Sequence, residues 1–147
     1  MAVLRMEHVG VIVDDLGDAI GFFKEIGLEV EGTATVEGAE VDRIIALDGA
    51  RSDIAILVTP DGHSKIELVE FHSPPYEGDA GPEPSHAPGI RHILFAVDDV
   101  DDLVARLQAR GAELVGEVVN YGTSYRLCYI RGPAGIIVEL AEKLGPA

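Results

Sequence analysis

The sequence predicts an α+β fold built from two tandem modules, each made of a strand, a helix and three further strands (βαβββ). The first observation is an internal repeat, because His92–Gly116 aligns without a gap on His8–Gly32. Each copy also begins with a histidine in an apolar strand pattern and continues through an Asp-Asp pair into a helical pattern. The closing segment Lys65–Glu70 returns as Ile137–Glu142, with two glutamates and a leucine retained. Self-similarity at a fixed spacing indicates a repeated structural unit.

The first module is expected over residues 6–71. Met6–Val13 has the composition of a strand, with apolar residues on both faces. Asp15 is expected to cap the following helix, and Gly27 to end it in a left-handed conformation. The buried stripe of this helix follows the spacing i, i+3, i+4, i+7 and comprises Leu16, Ala19, Ile20 and Phe23. The strands expected after the helix are Leu28–Val36, Val41–Asp48, Asp53–Thr59 and Lys65–Phe71.

The second module is expected over residues 91–143, after a linker at 72–90 that is rich in proline, glycine and acidic residues. Both modules together are expected to form one domain of residues 1–147. The helix stripe of this module comprises Val100, Leu103, Val104 and Leu107, and Gly111 is expected to end the helix. The expected strands are Ala112–Val119, Tyr125–Arg131 and Ile136–Ala141, followed by a loose tail at 144–147.

Composition restricts the classes of function. The formal net charge of −15 argues against a nucleic-acid partner, because phosphate binding requires clustered Lys and Arg. Cys128 is the single cysteine, so an intrachain disulfide is impossible. The first residues lack the apolar core of a signal peptide, and no apolar run approaches the roughly 18 residues of a membrane-spanning helix. We therefore expect a cytoplasmic protein without a membrane partner.

Four residues are the strongest candidates for a metal centre: His8 and Glu67 in the first module, and His92 and Glu139 in the second. A lone strand histidine is usually a satisfied core or edge residue, and a strand glutamate usually faces solvent. The recurrence of both residue types at matching places in both modules favours ligation instead. A carboxylate among apolar neighbours, as at Glu139, needs a compensating cation. Imidazole and carboxylate donors without sulfur predict a hard or borderline divalent ion, namely Ni, Co, Zn, Mn or Fe.

The strings EHVGVIVDD, KIELVE, RHILFAVDD and GPAGIIVELAE, spread over residues 6–143, resemble the vicinal oxygen chelate superfamily. That superfamily includes glyoxalase I, methylmalonyl-CoA epimerase, extradiol dioxygenases, fosfomycin-resistance enzymes and bleomycin-resistance proteins. The resemblance implies that each module curls its mixed sheet into a half-barrel and that two modules enclose one metal ion. The ligands would be His8, Glu67, His92 and Glu139. One departure from the family is expected, an extra strand at Asp53–Thr59.

The resemblance to glyoxalase I implies a divalent-metal-dependent lyase or isomerase that acts on a small carbonyl or thioester substrate through a metal-stabilised enolate. Glu139 would be the first choice as catalytic base, with Glu67 as its counterpart. The alternatives are an epimerase of the methylmalonyl-CoA type, an extradiol dioxygenase and a metal-free binding protein of the bleomycin-resistance kind. The family also implies a homodimer, in which the paired modules often come from different chains.

Other polar residues are weaker candidates. Those that could bind an anionic or aromatic part of a substrate are Arg43, Arg126, Tyr121 and Tyr125. Phe71 and His72 could line the mouth of the cavity. Glu70 and Glu142 are not expected to be ligands, because they are out of phase with Glu67 and Glu139 along the strands. Cys128, between two large apolar residues, is expected to be buried and inert.

Overall fold

The same arrangement of strands and helix occurs twice in the computed structural model, which describes residues 2–79 and 81–145. The chain divides into two compact units, Met1–Asp79 and Ala80–Ala147, each with one four-stranded sheet. The division falls within the predicted linker at 72–90. Among the described residues, no helix has the length and apolar character needed to cross a membrane.

The first unit has one main helix and four strands. Its elements are β1 (Val9–Ile12), α1 (Leu16–Ile26), β2 (Glu29–Glu37), α2 (Ala39–Ile45), β3 (Arg51–Val58) and β4 (Lys65–Ser73). The strand order is β1-β4-β3-β2, in which β1 runs parallel to β4 and the other neighbours are antiparallel. The connection from β1 through α1 leads to the far edge of the sheet, and β3 and β4 then fill the interior positions.

The second unit repeats this order. Its elements are β5 (His92–Val97), α3 (Val100–Ala109), β6 (Val119–Tyr121), β7 (Tyr125–Arg131), a 3₁₀ turn (Pro133–Gly135) and β8 (Ile137–Lys143). The strand order is β5-β8-β7-β6, again with one parallel pair, β5 and β8. The predicted α+β class, with the βαβββ plan in each unit, is confirmed.

Each helix packs on one face of its sheet, and this defines a covered and an open face in each unit. In the first unit α1 packs on β3 and β4, and the paired residues Val11, Leu68 and Ala55 are buried beneath it. Phe22 and Phe23 bring the largest helix side chains to this core, whereas the predicted stripe omitted Phe22. In the second unit α3 packs on β7 and β8, and its four predicted stripe residues are all buried.

The start of α1 is built as predicted, α3 repeats it, and the last strand of each unit adds one contact. Asp15 caps α1 by accepting a hydrogen bond from the Asp18 amide, and Asp99 does the same in α3. The amide of Leu16 also donates to Glu70 Oε1 at 3.1 Å, and the amide of Val100 donates to Glu142 Oε1 at 2.9 Å. The two glutamates thus bind free amides at the helix N-termini, where the helix dipole favours negative charge. A structural role for these glutamates was not predicted.

The predicted strand at Val41–Asp48 is wrong, because Ala39–Ile45 forms the short helix α2. The segment does not enter the sheet between its neighbours in the chain, since β2 and β3 pair directly with each other from Glu37↔Arg51 onward. Asp42 instead accepts hydrogen bonds from the amides of Gly49 and Ala50, both at 2.9 Å, and closes the connection. The expected extra strand is therefore also wrong for the described residues: Asp53–Thr59 corresponds to β3, the third strand of an ordinary βαβββ unit.

The predicted strand at Ala112–Val119 is interrupted. Leu114 forms an isolated bridge with Ile130, and regular pairing with β7 resumes only at Val119. A bend at Gly116 separates the two parts. The predicted tail at 144–147 begins with a hydrogen bond, in which the amide of Leu144 donates to the Ser124 carbonyl at 2.8 Å. Residues 146–147 lie outside the described part of the chain.

Candidate metal centre

In the first unit, His8 and Glu67 lie together at the open face of the sheet. Glu67 is in the middle of β4 and is paired with Gly10 on one side and Ile56 on the other. Because side chains alternate along a strand, these residues face away from the buried positions that contact α1. His8 immediately precedes β1, and its Nε2 lies 3.8 Å from Glu67 Oε2. Both side chains remain partly accessible, 39% for His8 and 26% for Glu67.

The second unit holds the matching pair at its own open face. Glu139 is in the middle of β8, paired with Leu94 and Tyr129. His92 opens β5, and its Nε2 lies 3.5 Å from Glu139 Oε1. The Glu139 side chain is only 15% exposed, and that of His92 is 42% exposed. The repeat therefore places a histidine beside a glutamate twice, at equivalent positions of the two sheets.

Tyr129 distinguishes the second pair from the first. Its hydroxyl lies 3.5 Å from His92 Nδ1, and the centres of the two rings are 5.2 Å apart. In the first unit, the equivalent position beside Glu67 is Ile56, which has no polar group. Tyr129 was not predicted as a site residue. The sequence contains one signal for it, because the alternation of side chains along β7 puts Tyr129 on the same face as Tyr125. Only the register with β8 shows that Glu139 lies on this face too.

The spacing within each pair fits a divalent ion. Two ligand atoms that each lie about 2.1 Å from one ion are about 3.0 Å apart at an octahedral angle and about 3.4 Å apart at a tetrahedral angle. The observed separations of 3.8 Å and 3.5 Å require small adjustments only. In both pairs the histidine directs Nε2 at the carboxylate, and in the second pair Nδ1 is left for Tyr129. Orientation of a ligating ring through its other nitrogen is common at metal centres.

Several of the weaker candidates have other roles. Arg126 pairs with Glu142 across the sheet, on the face covered by α3, and its guanidinium forms hydrogen bonds with both carboxylate oxygens of Asp101 at 2.9 and 3.0 Å. This contact lowers the pKa of the Asp101 carboxyl. Cys128 is buried as predicted, and burial raises the pKa of its thiol, which favours the unreactive protonated form.

Four of the remaining candidates, Arg43, His72, Tyr121 and Tyr125, are exposed. Tyr121 and Tyr125 lie in paired register at the edge of the second sheet, and both side chains are exposed. Arg43 projects from the exposed helix α2. His72 is hydrogen-bonded to Asp53 at 2.8 Å, at the end of β4.

Comparison with known proteins identifies the wider relationship. A glyoxalase family protein from Bacillus cereus, known as a crystal structure, is 51% identical to this chain with a TM-score of 0.94, over 99% of each chain. The uncharacterized protein YaeR of Escherichia coli is 28% identical over 144 residues, which are 97% of this chain and 99% of YaeR. Human mitochondrial methylmalonyl-CoA epimerase is 25% identical over 143 residues, 94% of this chain and 73% of the epimerase.

The family relationship extends over most of the chain. Residues 5–140 match the sequence model of the Glyoxalase/Bleomycin resistance protein/Dioxygenase superfamily. This range includes His8, Glu67, His92 and Glu139, and the resemblance inferred from the sequence is confirmed. The chain belongs to the Glyoxalase/Bleomycin resistance protein/Dioxygenase superfamily.

Proposed function

We propose that the protein is a divalent-metal-dependent lyase or isomerase of the glyoxalase I type, which acts on a small carbonyl or thioester substrate through an enolate. The observation that carries this proposal is the repeated pair of a histidine Nε2 and a glutamate carboxylate, 3.8 Å apart in one unit and 3.5 Å in the other. Each pair lies at an open sheet face, where a substrate has access to it. A protein that only sequesters a ligand has no need for these four side chains.

We propose that His8, Glu67, His92 and Glu139 are ligands of a divalent metal ion. Two neutral imidazoles and two carboxylates balance the charge of a dication, and the absence of sulfur donors favours Ni, Co, Zn, Mn or Fe. When bound, such an ion polarises a substrate carbonyl and stabilises negative charge on its oxygen. Tyr129 supports the set by fixing the ring of His92 through Nδ1 and through ring contact.

Glu139 is the proposed base that removes and returns the carbon-bound proton. Its side chain is the less exposed of the two carboxylates, at 15% against 26% for Glu67, and is therefore better shielded from water during proton transfer. A catalytic base must lie within hydrogen-bond reach of the substrate proton, and the central position of Glu139 on the open face of β8 makes its carboxylate accessible to a substrate. Glu67 is the corresponding group of the other unit and the second candidate for this role.

An epimerase of the methylmalonyl-CoA type is a second candidate function, favoured by the similarity to the human epimerase over 94% of this chain. Both candidates begin with removal of a proton next to a carbonyl, so the same residues serve either reaction. They differ in whether the proton is returned to the same carbon with inverted configuration or to a neighbouring carbon. Product analysis therefore separates them once a substrate is known.

The test is a screen of metal-loaded protein with 2-hydroxyacyl thioesters, hemithioacetals and 2-methyl acyl-CoAs in deuterated water. The expected result is metal-dependent incorporation of deuterium at the carbon next to the carbonyl, which removal of the metal by a chelator abolishes. Metal analysis of protein purified without added ions identifies the native ion. A metal-loaded protein that exchanges none of these compounds but binds one of them would contradict the enzymatic proposal and favour a binding protein.

A further inference from the structure

A second cluster of metal-ligating side chains lies in the first unit, on the face of the sheet opposite Glu67. It consists of Asp53 on β3 and of Glu70 and His72 on β4, whose ligand atoms all lie within 4.8 Å of one another. His72 Nε2 is 2.8 Å from Asp53 Oδ2 and 3.8 Å from Glu70 Oε2. All three side chains are partly exposed, so an ion can reach them from solvent.

Each carboxylate of the cluster has one oxygen held by another donor and one directed at His72. Asp53 Oδ1 accepts a hydrogen bond from the Thr35 hydroxyl at 2.7 Å. Glu70 Oε1 accepts one from the amide of Leu16 at 3.1 Å. The other two oxygens converge on His72 Nε2. Carboxylates oriented in this way by outer hydrogen bonds are typical of ligands that bind a metal through one oxygen.

The second unit shows what the equivalent position requires. There Glu142 occupies the place of Glu70 and also accepts a hydrogen bond from a helix amide. Its neighbour across the strands is Arg126, a permanent cation, whereas the neighbour of Glu70 is Asp53. In the first unit two carboxylates therefore meet where the second unit has a carboxylate and a guanidinium. A bound cation would supply in the first unit the positive charge that Arg126 supplies in the second.

We propose that Asp53, Glu70 and His72 form a second metal site that takes a borderline divalent cation such as Zn²⁺, with water in the remaining positions. One neutral imidazole and two carboxylates neutralise a dication, and this combination of nitrogen and oxygen donors suits zinc. Ligand atoms about 2.1 Å from a tetrahedral ion are about 3.4 Å apart, and the two separations of 2.8 and 3.8 Å lie on either side of this value.

The competing explanation is a simple hydrogen bond between His72 and Asp53. The hydrogen bonds from His72 and Thr35 lower the pKa of Asp53, so its carboxylate is charged at neutral pH with or without a metal. A histidine–aspartate bond involves two of the three side chains, whereas a metal site uses the ligand atoms of all three. This site does not depend on the proposed function, because its residues are on the covered face and are distinct from His8 and Glu67.

The experiment is a titration of the full-length protein with Zn²⁺, followed by NMR of the histidine side chains. A His8→Ala/His92→Ala double variant removes two ligands of the proposed catalytic centre. In this background we expect one zinc ion per chain and a change in the Nε2 resonance of His72. His72→Gln should lose that zinc ion, and Asp53→Arg, which imitates the second unit, should lose it as well. His63→Gln is the matched control, because His63 is an exposed histidine of the same unit and should leave zinc binding unchanged.

A folded protein whose His72 resonances do not respond to excess Zn²⁺ would overturn the proposal and leave the hydrogen-bonded pair as the explanation. If the double variant does not fold, the His72 resonance of the wild-type protein gives the same decision. Zinc binding that survives His72→Gln in the double variant would also refute this site. None of these results depends on catalytic activity, so failure here and failure of the proposed function are separate outcomes.

Discussion

Replacing Glu139 by glutamine separates proton transfer from metal binding. The amide has nearly the same volume as the carboxylate and retains one oxygen that can face the ion beside His92 Nε2. It has lost the negative charge, so metal binding should weaken, and it cannot accept a proton at neutral pH. We therefore expect a folded protein that still binds metal at high concentration but no longer exchanges the carbon-bound proton of its substrate.

The magnitude follows from the role assigned to Glu139. Loss of a general base typically lowers a rate by about 100- to 10,000-fold, or about 3 to 5 kcal/mol in activation free energy. Glu67→Gln removes the same charge and the same kind of ligand from the other unit, so its effect on metal affinity should be similar. Its effect on the exchange rate at saturating metal should be smaller, because the more exposed Glu67 is not the proposed base.

The assay is deuterium exchange into a confirmed substrate at saturating metal, with metal content measured on the same samples. Glu142→Gln is the matched control: it alters a carboxylate of the same strand that faces α3, and it should retain both metal and activity. Exchange by Glu139→Gln at the wild-type rate would show that the base lies elsewhere. A larger rate loss for Glu67→Gln than for Glu139→Gln would reverse the two assignments.

Three further predictions concern assembly, ligand orientation and stability. If the protein is a homodimer, each metal centre can combine the His–Glu pair of one chain with that of its partner. In that arrangement, mixing inactive His8→Ala and His92→Ala chains should restore about a quarter of the centres. No recovery after verified subunit exchange would favour a centre within one chain. Tyr129→Phe keeps the ring contact with His92 but loses the hydroxyl. Because the hydroxyl lies as far as 3.5 Å from His92 Nδ1, we expect metal affinity, measured by chelator competition, to fall by about 10-fold or less. Unchanged affinity would show that the hydroxyl does not orient His92. Asp99→Ala removes the cap of α3 and should lower the free energy of unfolding, measured by urea denaturation, by about 1 kcal/mol. A loss near zero would show that the hydrogen bond from the Val100 amide to Glu142 is sufficient to hold the start of the helix.

The features that the sequence determined by itself are those that depend on short spacings. The predicted cap Asp15 binds an amide three residues further along the chain, so the local pattern was enough to predict it, and Asp99 makes the same contact in the repeat. The stripe of α3 follows helical periodicity and is buried at all four positions. The internal repeat was also visible without a structure, because it is a match between two segments of the sequence. It predicted the βαβββ plan of both units and the candidate ligands, which are two histidines and two glutamates.

Short segments without a strong period were decided only by the tertiary structure. Val41–Asp48 is as compatible with a strand as with a helix by composition, and the direct pairing of β2 with β3 excludes it from the position between these two strands. The bend at Gly116 likewise interrupts a segment in which Val115, Val118 and Val119 favour a strand. In both cases the outcome depends on which strands pair with each other, and residues that are distant in the chain determine this.

The surroundings of the candidate sites also required the structure. Tyr129 contacts His92 across 37 positions of the chain, and Glu70 binds the amide of Leu16 across 54. The cluster of Asp53, Glu70 and His72 exists only because the register of β3 and β4 sets Asp53 opposite Glu70. A sequence shows which residue types are present and how they alternate, but strand register decides which side chains meet, because a shift by one residue turns every side chain to the other face.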